Sequence, residues 1–245
     1  MPDSTPSSSP VRLNGLFITG TDTGVGKTQV AACIARQLAR AGVKVGVYKP
    51  AASGCVADPC GRRISDDALS LWEAAGRPGT LDEVCPQRFL APLAPHLAAR
   101  AEGLEIDAAE LRRGLDVWRT RSEFLIVEGA GGLLSPLGDR EYVADLAADL
   151  GLPLIVVAPN VLGVINQTLQ TLLVARHWRG GLPVAGVVLN DARRIDSTID
   201  PSVSSNPEEL ARHSPTPIVA RLAHDALEFD REVDWRGLAT GRYSS

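Results

Sequence analysis

The segment Gly20-Thr-Asp-Thr-Gly-Val-Gly-Lys-Thr28 constrains this chain more than any other. An apolar run, Leu13–Thr19, precedes it and reads as a short buried strand. After it, Val30, Ala31, Ile34 and Leu38 recur at helical spacing and predict a helix over Lys27–Ala41, stopped by Gly42. A strand that passes into a helix through a glycine-rich loop is built to hold an anion. Glycine lets the backbone wrap the anion, and the loop N–H groups and the helix N-terminus point at it. Lys27 is placed to reach the β- and γ-phosphates of a nucleotide, and Thr28 to hold Mg²⁺. The spacing is a longer variant of the usual G-x-x-x-x-G-K-[ST] pattern, because position 21 is Thr and Gly20 lies six residues before Gly26.

The alternation continues along the chain. Val43–Tyr48 reads as a strand closed by Pro50, Ala51–Ser65 as a loop, and Asp67–Ala75 as a helix ending at Gly76. Residues 77–106, rich in Pro and Gly, read as irregular, and Ala108–Arg119 as a helix. Phe124–Val127 is a four-residue apolar run of the kind found inside parallel sheets, broken by Gly129–Gly132. Tyr142–Leu150 and Val164–Trp178 read as helices; Leu154–Ala158, Val184–Leu189 and Ile218–Ala220 read as strands. Strands separated by helices predict an α/β fold: a doubly wound, mostly parallel sheet with helices on both faces, of the P-loop NTPase type. The chain has 245 residues, no internal repeat and no linker between two halves. Residues 1–10, rich in Ser and Pro, read as a disordered tail, and 11–245 as a single domain.

Chemistry-bearing residues stand at the carboxyl ends of the predicted strands, where open α/β sheets bind ligands. Only three of the 25 basic residues are lysines, and two of them, Lys27 and Lys49, fall inside motifs, Lys49 at the carboxyl end of the second strand. Lys49 is either a second cation for a transferring phosphoryl group or a solvent-facing strand terminus. Asp66 and Asp67 begin a helix, where carboxylates suit the helix dipole and can equally ligate Mg²⁺. Glu128 ends a buried strand, in the position where P-loop proteins carry a metal-holding acid, and a lone buried charge there is otherwise costly. Asn190-Asp191 follows a strand and reads either as a turn or as a pair reading the edge of a purine.

Composition removes other classes. A formal charge of −4 argues against a bulk nucleic-acid binder, and aromatics at 4% argue against a base-stacking surface. The four cysteines form no C-x-x-C and the four histidines are scattered, so a zinc site is not expected. No signal peptide is recognisable and no apolar run approaches the ~20 residues that span a bilayer, so no membrane contact and a cytoplasmic location are expected.

Seven segments together resemble the dethiobiotin synthetase family: GTDTGVGKT at 20–28, YKPAASG at 48–54, SDDAL at 65–69, PLAPHLAA at 92–99, VEGAGGLLSPL at 127–137, LGVIN at 162–166 and LND at 189–191. They occur in the family's order, and the longer loop is the family's own form. The resemblance implies an ATP- and Mg²⁺-dependent ligase that carboxylates 7,8-diaminopelargonate with CO₂ or bicarbonate and closes a cyclic urea. It assigns the ATP phosphates to Thr23, Gly24, Val25, Gly26, Lys27, Thr28 and Gln29, and further nucleotide contacts to Glu128, Gly131, Asn190 and Asp191. It assigns Mg²⁺ to Thr28, Glu128 and an aspartate of SDDAL, Asp67 being favoured over Asp66. Lys27 and Lys49 meet the reacting phosphate and carbamate, with Thr23 and Ser53 beside them. The diamine lies against Thr23, Lys49, Ser53, Gly131 and Gly132, and its tail against Leu162, Gly163 and Asn166 across a homodimer interface. The chain departs from the family in its extra Asp, in Ala94, in Ala220–Ala223 and in the lack of an aromatic residue over 196–213. Two rival readings are a ParA/MinD-like ATPase switch, which carries Lys where this chain has Asp22, and a non-catalytic ATP-binding regulatory module.

Overall fold

The computed structural model describes residues 14–194 and 199–241, so the tail over 1–10 lies outside the described residues. Six parallel strands form the main sheet: β1 (Gly15–Gly20), β2 (Val45–Tyr48), β3 (Phe124–Gly132), β4 (Leu154–Pro159), β5 (Val184–Asn190) and β6 (Ile218–Leu222). Their order is β6-β5-β4-β1-β3-β2. Every residue of β1 and β2 is buried, as is β3 up to Gly129, because both sheet faces are covered. The chain leaves β1 toward β2 on one side and leaves β4 toward β5 on the other. Right-handed crossovers then put the connecting helices on opposite faces and open a crevice where the direction reverses.

Five helices matter for the site: α1 (Lys27–Arg40), α2 (Asp66–Ala74), α3 (Val143–Leu150), α4 (Val164–His177) and α5 (Ser202–His213). Helix α1 buries Val30, Ala31, Ile34 and Leu38, the residues whose spacing predicts it. Helix α2 starts one residue earlier than expected, because Ser65 caps it by accepting from the Ala68 N–H at 3.2 Å.

The structure corrects several sequence expectations. Within the predicted loop 51–65, Ala51–Ala52 pairs in parallel with Gln87–Arg88, and Val56–Ala57 pairs antiparallel with Arg63–Ile64. The irregular stretch 77–106 holds two short helices. Leu81–Val84 is fixed by a Thr80/Glu83 capping box, and Pro95–Ala101 has proline in its first turn. The single helix expected over 108–119 is two, Glu110–Arg113 and Asp116–Arg121. Gly114 stands at the break, where a Cβ would lie 2.3 Å from the Tyr48 hydroxyl. That hydroxyl donates toward the carbonyls of Glu110 and Leu111 at 3.1 and 3.2 Å. Helix α5 has no sequence-level prediction; it rests on only two buried side chains, Asn206 and Leu210, and carries Pro207 inside.

The β1–β3 ladder breaks beside the site. Ile18 pairs with Glu128, yet Gly20 pairs with Gly132, so β3 bulges over Gly129–Gly131. At the other end the two strands press close: a Cβ on Gly15 would sit 2.2 Å from the Leu125 carbonyl oxygen. Gly15→Ala is therefore expected to lower the unfolding free energy by about 1–3 kcal/mol in urea denaturation. An unchanged midpoint would show that the two strands are free to separate there.

Candidate active site

The loop between β1 and α1 is a cradle of backbone groups. Gly26 caps α1 in the left-handed region (φ 87°), and no side chain caps the helix, so its first N–H groups face the loop unclaimed by side chains. Gly26 must be glycine for a second reason: a Cβ there would lie 1.9 Å from the Asn190 amide nitrogen. Lys27 is buried and folds back, its ammonium donating to the Asp22 carbonyl at 3.0 Å. Burial pushes that ammonium below the ordinary lysine pKa. Gly24 is left-handed as well (φ 70°). Thr23 is exposed, and its N–H donates to the Asp22 carboxylate at 2.7 Å.

Beside the cradle, four elements converge on one carboxylate. Lys49 donates to Glu128 Oε1 at 2.5 Å and to Asp67 Oδ2 at 2.8 Å. The Thr28 hydroxyl donates to the same Glu128 Oε1 at 2.9 Å. The side chains of Lys49 and Glu128 are 4% and 1% exposed, and that of Asp67 is 50% exposed. Burial by itself would push the Lys49 ammonium down, but Glu128 and Asp67 hold it above the ordinary lysine range. Burial would likewise raise Asp67, and Lys49 overrides it, keeping the carboxyl below the ordinary range. Asp66 makes no ion pair with Lys49; with Thr28 and Asp67 it lines a groove of about 610 Å³ that also holds Arg36, Ser70 and Glu73.

Glu128 Oε2 is buried and has no hydrogen-bond partner. With the Thr28 hydroxyl and the Asp67 carboxylate it makes a set of hard oxygen donors, which suits Mg²⁺. Among the described residues no group of three or more His, Cys, Asp and Glu is placed to hold a metal. A divalent ion here therefore needs further oxygens from water or from a phosphate.

A groove of about 500 Å³ opens on the other side of the loop. It is lined by Thr21, Asp22, the stretch Gly132–Pro136 and the α4 residues Gln167, Gln170, Thr171 and Val174. Gly131 turns in the left-handed region (φ 74°), and a Cβ there would strike the Ser135 hydroxyl at 2.2 Å. That hydroxyl accepts from the Gly132 N–H at 2.9 Å. Ser53 is half-buried in the turn after Ala51–Ala52. Leu162, Gly163 and Asn166 line neither the ion-pair cluster nor this groove; they form the exposed tip of α4, with Leu162 79% exposed.

At the far end of the loop, Asn190 is fully buried on β5 and donates to the Val25 carbonyl at 2.9 Å, with Gln29 Oε1 3.5 Å away. Its own Oδ1 has no partner. Asp191 is held otherwise. Arg221 grips it with contacts of 2.8–3.2 Å, and Asn160 donates to it at 2.9 Å. Asn206 of α5 in turn donates to Asn160 Oδ1 at 3.1 Å. Asn160, Asn206 and Arg221 carry no local sequence signal, because their partners are far away in the chain. Thr21 and Gln167, whose buried oxygens lack partners, were equally invisible.

Comparison with known proteins gives the geometry a family. A family model described as an AAA domain matches residues 14–227. The chain is 43% identical to the ATP-dependent dethiobiotin synthetase of Rhodopirellula baltica, covering 84% of this chain and 82% of that one. For the enzyme of that name from Anaeromyxobacter dehalogenans the identity is 48%, covering 82% and 85%. For that of Bacillus cereus (strain B4264) it is 39%, covering 90% and 87%. The chain belongs to the dethiobiotin synthetase family. Solved structures match the fold at much lower identity. The MinC:MinD cell division complex of Aquifex aeolicus matches with a TM-score of 0.52 at 16% identity, covering 91% of this chain and 85% of that one. The signal recognition particle receptor FtsY of Elizabethkingia anophelis, in complex with GDP, matches with a TM-score of 0.52 at 12% identity, covering 100% and 68%. Those two matches show a shared P-loop α/β fold and nothing of the reaction.

Among the described residues, no helix is long and apolar enough to cross a membrane. For this member of the family, Gly26→Ala is expected to weaken binding of an ATP analogue by roughly tenfold or more, since left-handed strain alone costs about 1–3 kcal/mol. Calorimetric titration checks it; wild-type affinity in that variant would mean the loop relaxes around the new methyl group.

Proposed function

We propose that this chain closes the cyclic urea of dethiobiotin from 7,8-diaminopelargonate, CO₂ and ATP. The observation that carries the reading is the convergence of Lys27, Lys49, Thr28, Asp67 and Glu128 at the end of the phosphate loop. One amine of the substrate takes up CO₂ and loses a proton, giving a carbamate. A carbamate oxygen attacks the γ-phosphorus of ATP and ADP leaves. The second amine then attacks the carbonyl of the mixed anhydride, phosphate leaves, and the five-membered ring closes.

Every partner that must approach is an anion, and anions repel. Two unit charges 4 Å apart interact by about 4 kcal/mol at an effective dielectric near 20. The chain's task is to offset such terms and hold the reactants in line. The backbone of residues 23–28 and the open end of α1 wrap the phosphates, with Gln29 at their edge. Lys27 and Lys49 meet the transferring phosphoryl group and the carbamate. Thr23, Ser53, Gly131 and Gly132 flank the diamine. Thr28, Asp67 and Glu128 would hold Mg²⁺, which supplies neutralising charge to the phosphates, with Asp66 as the alternative acid. Asn190 offers its unpartnered Oδ1 to the adenine amino group, with Asp191 holding the strand end in place. Neither nucleic acid nor membrane enters the reading.

The reading includes a homodimer. Leu162 at 79% exposure, just before α4, and Leu173 on α4 at 58% leave apolar surface for a second copy, whose tail-binding contacts would be Leu162, Gly163 and Asn166. It also includes a cytoplasmic location, supported by four free cysteines, three of them buried.

The deciding assay is phosphate release from Mg–ATP and bicarbonate, with and without the diamine. Release that depends on the diamine, with a cyclic urea identified by mass, is expected; release without the diamine would point to an ATPase switch. Lys49→Ala is expected to lose on the order of 10²–10³ in turnover, the scale of a lost oxyanion donor. Turnover at the wild-type level would remove Lys49 from the chemistry. Glu128→Gln should need more Mg²⁺ to reach half its maximal rate, and a wild-type titration curve would sink its role as a ligand. Leu162→Glu should shift the dimer toward monomer in sedimentation; an unshifted dimer would place the interface elsewhere.

A further inference from the structure

The ammonium of Lys49 lies against the two carboxylates that the proposed function gives to a metal. It sits 2.5 Å from Glu128 and 2.8 Å from Asp67, in a pocket where it and Glu128 are almost wholly buried. The four charged side chains of the cluster, Lys27, Lys49, Asp67 and Glu128, sum to zero. Lys27 completes the balance without pairing to an acid, since its ammonium rests on the Asp22 carbonyl. A divalent cation arriving alone would add excess positive charge against Lys49 and Glu128, which are almost wholly buried, an expensive state away from water. A nucleotide arriving with the cation brings phosphate oxygens that can receive both ammonium groups.

We infer that Lys49 is the resident counter-ion of Asp67 and Glu128 in the metal-free protein, and that a divalent cation takes these carboxylates only as nucleotide phosphates draw Lys49 away. The inference rests on the reading of this cluster as a nucleotide and metal site. It makes one event of two: loading the metal delivers the lysine to the reacting phosphate. It also explains Glu128 Oε2, which is buried and unpartnered while Oε1 accepts from both Lys49 and Thr28. One ammonium satisfies only one edge of the carboxylate, and the other edge stays available. By linkage, whatever Lys49 costs the cation in affinity, the cation costs Lys49 in pairing.

The test is calorimetric titration of Mg²⁺ alone, without nucleotide, into the wild type and into Lys49→Met. The variant is expected to bind Mg²⁺ roughly tenfold or more tightly than the wild type, within the usual range of such couplings. Equal affinities would overturn the inference. The variant should also melt at a lower temperature than the wild type and recover with Mg²⁺, while the wild-type melt ignores Mg²⁺ alone. Should Lys49→Met fail to fold, the wild type answers by itself, because the chain has only three lysines and their ammonium groups resolve by nitrogen-15 NMR. The Lys49 signal should stay in place with Mg²⁺ and move with Mg²⁺ plus a non-hydrolysable ATP analogue. Movement with Mg²⁺ alone, or none with both, would overturn the exchange. Absence of analogue binding to the wild type would instead refute the nucleotide reading, and the metal titration would still decide whether Lys49 excludes the cation.

Discussion

Glu128 is a carboxylate at 1% exposure on an interior strand, and what makes that tolerable is Lys49. The two residues are 79 positions apart and meet because β2 and β3 are neighbours in parallel register. Tyr48 pairs with Val127, and each charged residue is one step further along its own strand. Strand order then does the rest. β3 lies between β1 and β2, so the phosphate loop leaving β1 and the lysine ending β2 flank the same acid. Thr28 arrives from α1 and Asp67 from α2. Four elements are thus fixed to one point by a contact that would be costly to break by removing either partner.

The polar network around Asp191 makes a useful contrast. Arg221, Asn160, Asn206 and the Val203 carbonyl close on one another across β4, β5, β6 and α5. That network is satisfied internally and reads as a rigid support beneath Asn190. The phosphate-loop region is different. Glu128 Oε2, Asn190 Oδ1, Thr21 Oγ1 and Gln167 Oε1 are all buried without partners around it. Buried polar atoms are normally paired; these four stand beside the loop and its groove, while others, among them Asn14 Oδ1, Trp118 Nε1 and Thr168 Oγ1, lie elsewhere in the fold.

Much of this was legible in the sequence. The phosphate loop, the strand before it and α1 after it are local features, and local periodicity and glycine chemistry suffice to read them. Lys49 and Glu128 were visible as chemistry at strand ends, and the helix-start pair Asp66 and Asp67 as two candidates. Less was legible where structure depends on distant partners. Gly114 stands where two helices divide, and the space a side chain would need there is taken by Tyr48, which is 66 positions away in the chain. Helix α5 holds through Asn206 and Leu210, which meet residues from β4 and its following loop, and its own apolar face is too thin to announce it. The short pairings of Ala51–Ala52 and Val56–Ala57 are set by partners 36 and 6 to 8 positions away.

The sequence by itself determined the type of fold and the type of ligand, because a phosphate loop is made of consecutive residues whose backbone freedom and charge can be read in order. It also placed the chain in its family through seven short segments. The tertiary structure alone decided which aspartate faces the lysine, since Asp66 and Asp67 differ by one step around a helix whose orientation is set by packing. It alone showed that Asp191 serves Arg221 and Asn160, and that Lys49 rests on the carboxylates of Glu128 and Asp67. Those facts depend on distances between strands that the chain joins only after folding, and no local pattern encodes them.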